Sequence, residues 1–281
     1  MGTGILQLLT AILYGAVEGV TEWLPISSTG HLLLLREILP PGTAITEEFF
    51  SVFLVVVQLG AVLAVAVLYG ERIIPVKILA GKPVLRREVC LLWGKIVLAC
   101  LPGVLYALTL DERIGGLFYG YRCVSVMLIT VGLLFLVTEA LIKRRGNSRR
   151  EVTEAAAIPW KTAVGIGLFQ LIAAVFPGTS RSGATILGGL WLGLSRTAAA
   201  EFTFDLALPV MAGESVLRLL SHGLAFSPWE WTLLLAGTAT AFLISLIVIR
   251  FLFDYVRRHD FRVFAWYRIV LGLAVLLYFS R

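Results

Sequence analysis

Read for its apolar and polar positions alone, the chain is a series of long apolar runs separated by short polar breaks. Runs long enough to cross a bilayer, about 20 residues each, occur near 49–69, 89–110, 119–142, 201–221, 229–253 and 264–279. Two other stretches follow a different plan. Residues 4–39 are apolar, then broken by Pro25-Ile26-Ser27-Ser28-Thr29-Gly30-His31, then apolar again; residues 162–194 repeat this around Pro177-Gly178-Thr179-Ser180-Arg181-Ser182-Gly183. Irregular backbone at membrane depth is tolerated only where protein buries it or water lines it. The pattern predicts an all-α polytopic membrane protein with about six full transmembrane helices and two re-entrant helix–turn–helix hairpins.

The halves match at a shift of about 152 residues. Glu18 falls opposite Gln170, Pro25 opposite Pro177, Ser27 opposite Thr179 and Ser28 opposite Ser180. Further on, Glu48-Phe49 and Gly60 find Glu201-Phe202 and Gly213, one residue out of step. The chain thus reads as a single membrane domain, 1–281, built of two repeats, 1–142 and 160–281. Each holds one hairpin and three crossings. Three is odd, so the second repeat is expected to be inverted relative to the first.

Composition fits a bilayer and not water. Hydrophobic residues make up 58% and charged residues 15%, against about 45–50% and 25% in soluble domains, and the mean hydropathy is +0.90. The net charge of +6 does not mark a nucleic-acid partner, because the basic residues lie in short loops. Loops 70–88, 143–161 and 254–263 are basic, while 36–48, 111–118 and 223–228 carry only Arg36 and Arg113 beside Glu37, Glu47, Glu48, Asp111 and Glu112. The positive-inside rule then puts the basic loops in the cytoplasm. Both termini and the first hairpin face outward, and the second hairpin enters from the cytoplasm. The N-terminal MGTGILQLLT has no basic n-region and reads as mature sequence. Cys90, Cys100 and Cys123 show no disulfide or metal spacing and read as packing residues.

Three polar constellations interrupt this apolar background. Glu18 and Glu22, at i and i+4, share one helix face. Two like charges there need a shared cation, a shared proton or a basic partner, which suits a divalent-metal site or an acid/base pair. Ser27-Ser28-Thr29-Gly30-His31 gathers hydroxyls and one of three histidines after a helix-breaking proline. Capping the next helix needs one of those hydroxyls, not three and an imidazole. Gly178-Thr179-Ser180-Arg181-Ser182-Gly183 opens an apolar helix, whose N-terminal amides and positive dipole end favour anions. Arg181 adds a bidentate cation suited to phosphate. The simpler alternative for Arg181 is a partner for Glu18 or Glu22 that only holds the hairpins together. Together the hairpins suit hydrolysis of a phosphate anhydride on a lipid whose tail stays in the bilayer.

Glu18-x-x-x-Glu22, then Pro25-x-Ser27-Ser28-Thr29-Gly30-His31, then Pro177-Gly178-Thr179-Ser180-Arg181-Ser182-Gly183-Ala184-Thr185 resemble the bacterial undecaprenyl-diphosphate phosphatase family. The likeness also takes in Gln58-Leu59-Gly60 and Gln170 and spans essentially the whole chain. The resemblance implies hydrolysis of undecaprenyl diphosphate to the monophosphate, recycling the carrier lipid of peptidoglycan synthesis. It also implies a plasma-membrane location, a link to bacitracin resistance and a divalent cation (Mg2+ or Ca2+). Carried over residue by residue, Glu18, Glu22, Ser28, His31 and Arg181 are the catalytic positions, and Glu18 and Glu22 the metal ligands. Ser27, Thr29, Thr179, Ser180, Ser182 and Gly183 line the substrate. Leu54 departs from the family pattern where an acid is common, as do Asp205 and Glu214 in a normally apolar crossing.

The expected mechanism has Arg181 and the amides near Ser182 and Ala184 hold the diphosphate, Ser28 or water attack the terminal phosphorus, and His31 handle the proton. The site is expected to open to the outer side, with membrane lipids around the chain and a homodimer left open. The competing class is a transporter or flippase of lipid phosphate, which opposed repeats would also suit.

Overall fold

A computed structural model describes residues 2–39, 45–79, 82–109, 118, 120–145, 151–223 and 225–280. The chain is helical almost throughout: α1 (Gly2–Thr21), α2 (Ser28–Ile38), α3 (Glu47–Ile73), α4 (Arg87–Thr109), α5 (Tyr121–Arg145), α6 (Trp160–Val175), α7 (Arg181–Trp191), α8 (Arg196–His222), α9 (Pro228–Val256) and α10 (Arg262–Phe279). A 3-10 turn at Ala155–Ala157 precedes α6. Asp111, Glu112 and Arg113 of one expected loop, and Arg149 and Arg150 of another, lie outside the described residues.

Six described helices are long and apolar enough to cross a membrane: Gly4–Thr21, Glu47–Ile73, Arg87–Thr109, Tyr121–Arg144, Pro228–Val256 and Arg262–Phe279. Five coincide with the expected crossings. The sixth is the first arm of the first hairpin, in place of the run at 201–221. The helix over that run, α8, is 27 residues long. Its Glu201, Asp205, Glu214 and Arg218 lower its apolarity, and the stretch from Phe202 to Leu208 is buried in protein. A helix surrounded by protein tolerates charges that lipid would not. The long apolar helices instead leave Leu108, Ile247 and Leu277 exposed toward the surroundings.

Loop 70–88 departs locally from an all-helical chain. Val76–Leu79 (β1) and Lys82–Leu85 (β2) pair as an antiparallel hairpin whose strand residues are all exposed.

Numbered this way, α1–α5 and α6–α10 pack by exchange. Helix α1 packs on α9 as α6 packs on α4, α3 on α9 as α8 on α4, and α10 on α2 as α5 on α7. The α3·α8 and α5·α10 contacts lie on the axis of exchange. Small residues let these backbones close up: a Cβ on Gly15 would meet the Gly237 carbonyl at 2.3 Å, and one on its counterpart Gly167 the Ala99 carbonyl at 2.4 Å.

Several ionisable groups inside the bundle form ion pairs. Arg72 reaches Glu201 at 2.8 Å and Asp205 at 2.9 Å, which accounts for the acid at 205. Buried Glu139 binds Arg196 and accepts from the Phe261 amide at 3.0 Å. The three cysteines are free thiols.

Gly60 and Gly213, matched in sequence, are not equivalent in packing. A Cβ on Gly60 would sit 2.1 Å from the Thr238 carbonyl, whereas one on Gly213 would meet nothing within 4 Å. Gly60→Ala is expected to destabilise the detergent-solubilised protein by about 1–3 kcal/mol. Gly213→Ala should be neutral or stabilise by up to about 1 kcal/mol through helix propensity. Thermal unfolding followed by static light scattering checks both signs.

Candidate active site at the two hairpin turns

Each hairpin turn begins where proline stops a helix from continuing and ends at a serine N-cap. Ser27 caps α2 and accepts from the Gly30 amide at 3.5 Å; Ser180 caps α7 and accepts from the Gly183 amide at 3.2 Å. Both caps adopt positive φ, 74° and 69°, and are the two such non-glycine residues among those described. Strained backbone of this kind costs about 1–3 kcal/mol and persists where surrounding contacts over-determine it.

This geometry corrects the repeat register. Ser27 corresponds to Ser180 rather than Thr179, Gly30 to Gly183, and Ser28 to Arg181 rather than Ser180. The second turn holds one more residue between its proline and its cap. Gly178 absorbs it at φ 92°, where a Cβ would strike the Val124 backbone at 2.6 Å. The one-residue step seen later, at Glu48 and Glu201, therefore arises inside the turn.

Ser28 and Arg181, each the first residue of its helix, converge on one carboxylate. The Ser28 hydroxyl donates to Glu22 Oε2 at 2.9 Å, and Arg181 Nη2 donates to Glu22 Oε1 at 2.8 Å. Arg181 also reaches the Thr203 carbonyl at 3.4 Å and Met211 Sδ at 3.1 Å. The buried Ser182 hydroxyl approaches the carbonyls of Glu22 at 3.1 Å and Leu24 at 3.3 Å, tying the second hairpin to the backbone of the first.

Glu18 lies one turn before Glu22. It is buried, and neither carboxylate oxygen has a hydrogen-bond partner. The charges acting on it are Glu22, Arg181 and Glu214. No group of three His, Cys, Asp or Glu able to hold a metal occurs among the described residues. The donors at hand are Glu18 with two unused oxygens and Glu22. That set suits a cation that keeps waters and takes further ligands from substrate phosphates, as Mg2+ commonly does.

His31 makes its hydrogen bonds to other groups than the two carboxylates. Its Nδ1 lies 2.7 Å from the Ser27 carbonyl and its Nε2 2.7 Å from the Tyr267 hydroxyl, with the two rings stacked. A carbonyl only accepts, so Nδ1 carries the proton and the Nε2 lone pair receives the tyrosine hydroxyl. The expected hydroxyl cradle is partly committed elsewhere. Thr179 donates to the Phe176 carbonyl at 2.6 Å, Ser180 and Ser182 lie 3.1 Å apart, Thr29 is exposed, and Gly183 is buried.

Sequence reasoning missed Tyr267 and Arg268. Arg268, fully buried, donates to the carbonyls of Pro25 at 3.1 Å, Gly178 at 2.9 Å and Thr179 at 2.8 Å. One guanidinium thus clamps both turns. An arginine inside the apolar run 264–279 was the available signal, since ionisable residues in such segments mark functional sites. Arg268→Met should leave three buried carbonyls without donors, at about 1–3 kcal/mol each. A clear drop in thermal unfolding midpoint is expected, smaller for Arg268→Lys, which retains a donor.

Comparison with known proteins places the chain in one family over nearly its whole length. A family model described as Bacitracin resistance protein BacA matches residues 11–274. The chain is similar to undecaprenyl-diphosphatase 1 of Clostridium acetobutylicum, 50% identical over 274 residues and 98% of each chain. It is similar also to undecaprenyl-diphosphatase of Desulfitobacterium hafniense, 49% identical over 276 residues, 98% of this chain and 97% of the relative. Undecaprenyl-diphosphatase of Enterococcus faecalis is 43% identical over 279 residues and 99% of each chain.

Proposed function

The chain belongs to the bacitracin resistance protein BacA family, and from that premise we propose that it is a multi-pass membrane undecaprenyl-diphosphatase. It hydrolyses undecaprenyl diphosphate to undecaprenyl phosphate and inorganic phosphate, renewing the carrier lipid of peptidoglycan synthesis. The observation that carries the mechanism is the Ser28–Glu22–Arg181 contact, with 2.9 Å on one carboxylate oxygen and 2.8 Å on the other.

A hydroxyl within hydrogen-bond reach of a carboxylate is a nucleophile beside its base. Ser28 Oγ attacks the terminal phosphorus as Glu22 accepts its proton. The bond from that phosphorus to the bridging oxygen breaks, and undecaprenyl phosphate leaves. Water then hydrolyses the phosphoserine; direct attack by water would use the same base. Arg181, at the N-terminus of α7, neutralises charge on the transferring phosphoryl group. His31 keeps its Nε2 lone pair behind the Tyr267 hydroxyl, a second place where a proton can be received. Ser27, Ser180, Ser182 and Gly183 shape the turns that aim these groups, with Thr29 and Thr179 beside them. Glu18 and Glu22 would hold a divalent cation, Mg2+ or Ca2+, which neutralises diphosphate oxygens when bound.

The exchange packing of α1–α5 and α6–α10 supports the inverted-repeat reading, with each hairpin re-entrant. Loop charge supports a plasma-membrane topology with basic loops inside and the site opening outward. A carrier is not favoured, since Gln170 and Ala174 replace the glutamate pair in the second half.

Glu22→Gln should lower phosphate release from lipid diphosphate in detergent by about 10²–10⁴-fold, with thermal unfolding recorded in parallel to separate lost chemistry from lost fold. Wild-type turnover in Glu22→Gln, or in Arg181→Ala, would sink the mechanism. Phosphate release in detergent distinguishes the enzyme from a carrier alone, which would release none. Chelation should abolish turnover and added Mg2+ or Ca2+ restore it. Glu18→Gln should raise the cation concentration needed.

A further inference from the structure

The β1–β2 hairpin has no part in the chemistry, yet it exposes more apolar side chain than a connecting loop requires. Its register pairs Val76 with Leu85 and Ile78 with Pro83, and in alternation with them Lys77 with Val84 and Leu79 with Lys82. Opposed residues share a face and successive residues alternate. One face is therefore Val76, Ile78, Pro83 and Leu85, apolar throughout, and the other carries both lysines with Leu79 and Val84. All eight residues are exposed, Ile78 at 75% and Leu85 at 66%.

Position and charge indicate what covers the apolar face. The strands lie between α3 and α4, both able to cross a membrane, and β1 starts three residues after α3 ends at Ile73. The base of the hairpin is fixed, because the Arg86 amide donates to the Pro75 carbonyl at 2.7 Å and its guanidinium binds the Glu71 carbonyl. Arg72 is taken up by Glu201 and Asp205, and Arg86 by Glu88. Lys77, Lys82 and Arg87 are exposed and form no ion pair among the described residues. An apolar face backed by a face with two lysines unpaired among the described residues, at the edge of a bilayer, is the chemistry of an interfacial anchor for anionic lipid.

We propose that the hairpin lies on the bilayer surface, with Val76, Ile78, Pro83 and Leu85 in the headgroup–acyl boundary and Lys77, Lys82 and Arg87 drawing anionic headgroups around it. This rests on the chain spanning the membrane and not on the phosphatase reading.

The test uses the full chain with its three cysteines replaced by alanine and a fluorophore on Ile78→Cys or, on the opposite face, Val84→Cys. Vesicles are brominated phosphatidylcholine with or without phosphatidylglycerol. Quenching by the brominated chains acts in both leaflets and does not depend on the orientation of insertion. Ile78→Cys should be quenched at least about threefold more with phosphatidylglycerol present, and more than Val84→Cys. Lys77→Glu with Lys82→Glu should remove the gain. Leu85→Cys repeats the measurement should Ile78→Cys fail to fold. Equal quenching on both faces, or no response to phosphatidylglycerol, overturns the proposal. So does a fluorophore shift in detergent that grows with protein concentration, which would place a second copy on that face.

Discussion

The Glu22 carboxylate holds one donor from each hairpin, and the geometry of the site follows from that. A guanidinium at membrane depth must find an anion, and a carboxylate there must find donors, because lipid supplies neither. Arg181 and Glu22 are 159 residues apart in sequence and meet at 2.8 Å. Removing one partner of a buried pair commonly costs about 3–5 kcal/mol, since the other is left without compensation. The pairing is thus strongly enforced. It brings the Ser28 hydroxyl, on the other carboxylate oxygen, to the same place as the Arg181 guanidinium.

The two turns are one design used twice with different first residues. Each has a proline, a serine cap at positive φ and a glycine amide returned to that cap. At the first helical position one carries Ser28 and the other Arg181. Facing two copies of one turn across an axis brings these unlike residues together. Ser28 and Arg181 thus come from equivalent positions, while Glu18 and Glu22 have Gln170 and Ala174 as their counterparts in the second half.

Around this centre, charges serve as fasteners wherever protein encloses them. Arg268 joins the two turns through three carbonyls, Glu139 joins Arg196 to the start of α10, and Arg72 joins α3 to α8. Glu18 is the exception, with both oxygens buried and unpartnered. A buried carboxylate left so fits a position completed by a bound cation or proton.

The membrane class, the helical runs and the two polar turns that interrupt them were legible in the sequence. Each is written locally, in apolar length or in a proline followed by hydroxyls. The repeat was legible too, but not its register, because a single extra residue at Gly178 is visible only through the positive φ it permits. Nor did the pattern show that α8 is sheathed by protein, that His31 faces Tyr267, or that Arg268 closes both turns. The His31 and Arg268 contacts join segments more than 80 residues apart. Periodicity reports which face of a helix is apolar and is silent on what stands opposite, so only packing decided that Ser28 and Arg181 would share one carboxylate.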